Sequence, residues 1–138
     1  GGEGMIQKGL LALALLAVVA FLPRLIGNLR RGPMIDIPEL RQRIDTDKKL
    51  LVLDVRTPED FVGEQGHIED AVTIPVEDLQ QRVDEIGNYL EQPVAIVCRT
   101  DKKSAKAALL LAEEGFADVH IVRGGMTKWI EAGLPVIR

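Results

Sequence analysis

Hydrophobic positions along this chain fall into two regimes. Leu10 to Leu22 is an unbroken apolar run, LLALALLAVVAFL, bounded by Lys8-Gly9 and Pro23-Arg24. Leucine and alanine favour helix, and no polar face interrupts the run, so a helix that is apolar all round is expected. Beyond residue 35 the pattern changes to short apolar runs alternating with stretches of helical spacing. LLVLD (50–54), AVTIP (71–75), PVAIVC (93–98) and DVHIV (118–122) read as short buried strands. Between them, Asp36-Ile37-Pro38-Glu39 reads as a helix start with Asp36 as cap, and Leu40 and Ile44 share one face. Pro58 to Val62 is a predicted helical turn, and Leu79, Val83 and Ile86 are spaced for a helix over 76–86. Ser104 to Glu114 is a predicted helix with Ser104 as cap and Gly115 as terminator. Thr127 to Ala132 is a short predicted helix closed by Gly133. Alternating β and α units of this kind imply an α/β fold with a mainly parallel central sheet flanked by helices.

Two regions follow: an N-terminal hydrophobic helix and linker (1–34) and a globular domain (35–138). Charge divides them the same way. Residues 1–35 carry Lys8, Arg24, Arg30 and Arg31 against Glu3, whereas residues 36–138 carry 13 Lys/Arg against 20 Asp/Glu. Between Lys8 and Arg24 lie 15 residues, about 22 Å of helix at ~1.5 Å per residue. That is shorter than a hydrocarbon core of ~30 Å. Ile6, Leu25 and Ile26 extend the span if Lys8 and Arg24 snorkel. A membrane anchor over residues 10–26 is the leading expectation. A helix packed on protein and a secretory signal peptide are the alternatives, and the arginines that follow the run argue against the signal peptide. If the helix crosses a membrane, the same arginines put the domain on the cytoplasmic side by the positive-inside rule. Asn28 to Pro33 reads as a linker, with Gly32-Pro33 ending any helix.

Composition removes other classes. The formal net charge of −4 argues against a nucleic-acid binder. One cysteine excludes an internal disulfide and a cysteine-cluster metal site, and two separated histidines make a zinc site unexpected. No cofactor is called for.

That cysteine, Cys98, stands at the expected carboxyl end of the PVAIV strand. In open parallel sheets, ligands bind at such ends, beside helix N-termini. Arg99, Thr100, Asp101, Lys102 and Lys103 follow, and then the predicted helix. From Cys98 to Lys106 there are four cations and one anion. Backbone N–H groups, the positive end of a helix and these cations would all favour thiolate over thiol and attract an anionic substrate. The simpler reading, a small buried hydrophobe, accounts for a lone cysteine but not for the charge around it.

Cys98-Arg99-Thr100-Asp101-Lys102-Lys103-Ser104 resembles the active-site loop of rhodanese sulfurtransferases. Three other stretches agree in order: Leu53-Asp54-Val55-Arg56-Thr57-Pro58-Glu59-Asp60-Phe61; Gly66-His67-Ile68-Glu69-Asp70-Ala71 with Ile74-Pro75; and Arg123-Gly124-Gly125-Met126-Thr127-Lys128-Trp129 with Gly133-Leu134-Pro135-Val136. The resemblance covers residue 35 to the end. It implies a rhodanese-like fold and transfer of sulfane sulfur, from thiosulfate or a persulfide donor to cyanide or a thiol, through a persulfide on Cys98. Arg99 to Ser104 would bind the anionic donor and the persulfide. Asp54 and Arg56 would brace the loop or pair with Glu59. A non-enzymatic persulfide carrier, or a membrane-tethered sulfur-sensing or docking module, is the alternative. Related phosphatases need an arginine six positions after the cysteine. Ser104 stands there instead, which favours sulfur over phosphate. Two residues depart from the family pattern, Asp101 and Asp70, where glycine is frequent. Asp101 is expected to tolerate a left-handed backbone, and its charge would oppose anion binding. His67, His120 and Trp129 are expected to serve turns and packing.

Overall fold

A computed structural model describes residues 33–138. The apolar run at 10–22 and the helix expected there lie outside the described residues. Among the described residues no helix is long and apolar enough to cross a membrane.

Five strands form one parallel sheet: β1 (Met34–Ile35), β2 (Leu51–Asp54), β3 (Val72–Thr73), β4 (Pro93–Val97) and β5 (Asp118–Val122), in the order β1-β5-β4-β2-β3. The expected strands are present, β5 with the expected bounds and the other three trimmed at their ends. β1, just after the expected linker over Asn28 to Pro33, is not among the expected strands. It is a strand because Ile121 N donates to Pro33 O at 2.8 Å and Arg123 N to Ile35 O at 2.9 Å. Two residues carry no readable period, so only the partner strand specifies the pairing.

The helices are α1 (Ile37–Thr46), α2 (Pro58–Phe61), α3 (Leu79–Arg82), α4 (Lys102–Glu113) and α5 (Gly125–Glu131). The helix expected over 76–86 is broken: 3₁₀ turns at Val76–Asp78 and Val83–Tyr89 flank α3, and Ile86 has non-helical dihedrals. Leu79 and Ile86 are nevertheless buried, so the apolar spacing records the face that packs rather than one continuous helix.

Side chains alternate along each strand and divide the core in two. Leu51, Leu53, Val94, Ile96 and Ile121 point to one face, where they meet Leu79, Ile86, Ala107, Ala108 and Leu111. Val52, Ala95, Val97 and Val122 point to the other, against Ile35, Leu40, Met126 and Trp129. Both faces are covered, which is why these strands read as continuous apolar runs rather than as alternation. Trp129 is buried, and its indole N–H donates to Pro135 O at 3.0 Å, which folds the C-terminal segment back over α5.

The topology locates the chemistry. β2 leads to β3 on one side of the sheet, while β4 leads to β5 on the other. The carboxyl ends of β2 and β4 therefore adjoin at the point where the winding reverses, with Asp54 paired to Val97 in register. Crevices for ligands open at such points.

Candidate active site

Cys98 follows β4 directly, beside the segment that follows β2; Val55 N donates to Val97 O at 2.9 Å. Arg99, Thr100 and Asp101 form the connection, and α4 begins at Lys102. The helix starts two residues earlier than expected, and its N-cap is Asp101, without a side-chain cap bond. Ser104 is not the cap. It is buried in the first turn, and its hydroxyl donates to Ile96 O at 3.4 Å. Only its backbone N–H is available to a ligand. Asp101 has φ −138°, so the left-handed conformation expected of it is not adopted. Asp70, the other departure from the family pattern, does adopt it, with φ 66°. Asp36 is the N-cap of α1 by position, but its carboxylate accepts from Arg123 Nε at 2.8 Å rather than capping the helix.

Three successive carbonyls of the Cys98 loop face the N-terminus of α5. Met126 N donates to Cys98 O at 2.9 Å. Thr127 donates to Arg99 O from its backbone N at 3.2 Å and from its hydroxyl at 2.9 Å. Thr100 O lies so close to Gly125 that a Cβ there would overlap it and Cys98 O. Within a planar trans peptide, C=O and N–H point in opposite directions. The N–H groups of Arg99, Thr100 and Asp101 therefore point away from α5. Together with those of Lys102, Lys103 and Ser104, they donate to no acceptor among the described residues. Six consecutive donors follow the sulfur-bearing residue, and the last three are the N-terminal N–H groups of a 12-residue helix. This arrangement can hold an anion or a thiolate without a side-chain cation.

The side chains of Arg99, Thr100, Asp101, Lys102 and Lys103 are exposed around the loop. Lys103 leans toward Glu77, Nζ to Oε1 3.7 Å, which reduces its pull on a donor. Cys98 itself is only 2% exposed and packs with the core on the α4 side of the sheet.

Asp54 and Arg56 form a buried pair. Arg56 Nε donates to Asp54 Oδ1 at 3.0 Å and Nη2 to Oδ2 at 2.8 Å. The guanidinium also reaches Gly66 O at 2.7 Å and Gln65 Oε1 at 3.5 Å. Arg56 thereby ties the end of β2 to the 63–66 turn. Glu59 is not part of this pair: it is exposed on α2 and makes no ion pair among the described residues. The turn is held from its other side by the C-terminal segment. His67 N donates to Ile137 O at 2.7 Å and Ile137 N to His67 O at 2.8 Å. Gly66, at φ +65°, leaves room for Ile137 O, where a Cβ would collide. His67 stacks on Phe61, and its Nδ1 hydrogen-bonds Phe61 O at 2.7 Å, a structural use of the ring.

Asp60, Gly63, Glu64 and Gln65 face Arg99 across a shallow cleft of about 360 Å³. The 63–66 turn is thus a wall beside the Cys98 loop. Glu64 and Gln65 carry no motif of their own; only the Gly66-His67-Ile68 signal marks the turn. Thr127, expected as the start of a helix and given no site role, holds a loop carbonyl. Among the described residues no three His, Cys, Asp or Glu side chains cluster as a metal site.

Two variants check this architecture. Gly125→Ala forces the α5 terminus and the Cys98 loop apart, so reaction of Cys98 with an anionic thiol reagent should change by at least about tenfold while the far-ultraviolet circular dichroism is kept; an unchanged rate would show that the contact does not shape the loop. Arg56→Met leaves Asp54 buried and unpaired and should cost about 3–5 kcal/mol in urea unfolding followed by Trp129 fluorescence.

Comparison with known proteins places this geometry. Residues 36–132 match the model of the rhodanese-like domain. A sulfurtransferase of Allochromatium vinosum is 34% identical over 103 residues, covering 75% of this chain and 92% of its own. The thiosulfate sulfurtransferase GlpE of Pseudomonas syringae is 35% identical over 92 residues, covering 67% and 82%. The crystal structure of a rhodanese-related protein from Thermoplasma volcanium superposes with a TM-score of 0.64 at 27% identity, over 76% of this chain and 97% of that one. The family model spans β2 to β5 with α1 to α5, and relatives at 34% and 35% identity are covered over most of their length: this chain belongs to the rhodanese-like family.

Proposed function

We propose that the chain is a sulfurtransferase that carries sulfane sulfur as a persulfide on Cys98. The observation that carries this reading is the run of N–H donors from Arg99 to Ser104, left without acceptors because the loop carbonyls are tied to α5. The sulfurtransferase names of relatives at 34% and 35% identity support it.

With thiosulfate as donor, the Cys98 thiolate attacks the outer sulfur. The S–S bond of thiosulfate breaks, sulfite leaves with the bonding pair, and Cys98 retains a persulfide anion. That charge sits where the N–H groups can bind it, in the manner of an oxyanion hole. Arg99 and Lys102 attract the donor from outside, and Asp101 opposes them in part. An acceptor thiol then attacks the outer sulfur, the persulfide bond breaks, and Cys98 leaves as thiolate while the proton of the acceptor passes to the new persulfide. The deep seat of Cys98 favours a donor whose transferable sulfur is terminal and unhindered, as in thiosulfate or a persulfide.

Thiosulfate treatment should add one sulfur atom to the intact mass, located on Cys98, and Cys98→Ser should gain none and lose turnover with cyanide. Sulfur uptake without turnover would make the chain a carrier, and normal turnover by Cys98→Ser would overturn both roles.

We also propose, from the sequence, that residues 10–26 attach the domain to a membrane with its body on the cytoplasmic side. The full chain should sediment with membranes and deletion of residues 5–31 should release it; recovery of the intact chain without detergent would contradict the anchor.

A further inference from the structure

The cleft beside the Cys98 loop has an unusual charge for a site that must admit an anionic donor. Its walls are Asp60, Gly63, Glu64, Gln65 and Arg99. Two acidic residues and one arginine line the same space of about 360 Å³, at the low end of volumes that hold small molecules. Two further cations have partners of their own. Lys103 leans toward Glu77, and Arg138, whose Nε donates to Glu64 O at 2.9 Å, lines the adjoining groove, which shares Glu64 and Gln65 with the cleft and continues to Ile130 and Leu134. The turn that presents Glu64 and Gln65 is braced by Arg56 and by the C-terminal segment, so its carboxylate stands on a supported wall.

A doubly anionic donor gains nothing from Asp60 and Glu64, and the unpaired N–H groups already provide for it. The cleft therefore suits the second substrate. Resting on the sulfur-transfer reading above, we propose that the Asp60–Glu64–Arg99 cleft selects thiol acceptors that carry an ammonium group, which the two carboxylates attract. A carboxylate on the same acceptor can meet Arg99. Purely anionic thiols are disfavoured. In the selected step the acceptor sulfur attacks the outer sulfur of the Cys98 persulfide, the S–S bond breaks, Cys98 leaves as thiolate, and the acceptor leaves as its own persulfide.

The test uses the full chain in detergent, first loaded with one sulfur on Cys98 by thiosulfate and freed of donor. Discharge of the persulfide is then followed with cysteamine and with mercaptoacetate. The ratio of the two rate constants is compared between the wild type and Asp60→Asn/Glu64→Gln. Taking a ratio of ratios cancels the intrinsic reactivities of the two thiols. The cysteamine preference should fall by about threefold or more in the double variant, the size expected of exposed charge pairs. It should also fall as salt is raised in the wild type. Arg99→Gln should move the ratio in the opposite sense. A ratio of ratios within twofold of unity, or a wild-type ratio insensitive to salt, overturns the proposal while leaving sulfur transfer intact. Failure of Cys98 to load any sulfur would instead overturn the sulfur-transfer reading itself.

Discussion

A planar peptide cannot direct its carbonyl and its N–H to the same side, and the active loop of this protein is organised by that constraint. Met126 and Thr127 draw the carbonyls of Cys98 and Arg99 to the start of α5. The next carbonyl, of Thr100, presses on Gly125, where a side chain would not fit. The N–H groups of the same peptides are then left facing away, and α4 adds its own first-turn donors. Binding capacity for an anion arises from backbone geometry before any charged side chain is counted. The exposed cations of the loop add long-range attraction, which salt screens, whereas the N–H groups act at contact.

A second device holds the opposite wall. The Asp54–Arg56 pair is buried where β2 ends, and the guanidinium has donors left over for Gly66 and Gln65. An aliphatic pair would fill the same volume, but it would not carry directional bonds from the sheet to the turn. A buried pair is often no more stable than such a replacement. Its use here lies in its position, because the turn it supports borders the Cys98 loop. The C-terminal segment, folded back by Trp129 and paired with His67, supports that turn from the other side.

Much of the scaffold was legible from the chain alone. Apolar runs too continuous for a half-exposed sheet marked buried parallel strands, and the helices between them followed from spacing. Boundaries were less legible where tertiary contacts compete with local preference. Ser104 has the chemistry of a cap, yet packing places it inside the helix. Asp36 has the position of a cap, yet Arg123, from the far end of β5, takes its carboxylate. Glu59 lay close in sequence to Arg56, but Asp54, two residues away on the same strand end, offers the guanidinium a bidentate partner. The 76–89 segment kept its apolar face while its backbone tightened into 3₁₀ turns around α3.

The sequence by itself determined the α/β class, the position of Cys98 at a strand end and the cationic character of the residues after it, because these depend on periodicity and on neighbours in the chain. Tertiary structure alone decided which way the loop peptides face, that Thr127 and Gly125 hold them, and that Asp60, Glu64 and Arg99 share one cleft. Tens of positions separate the turn, the Cys98 loop and the start of α5, and only the reversal of winding between β2 and β4, with α5 packed against the loop, brings them together.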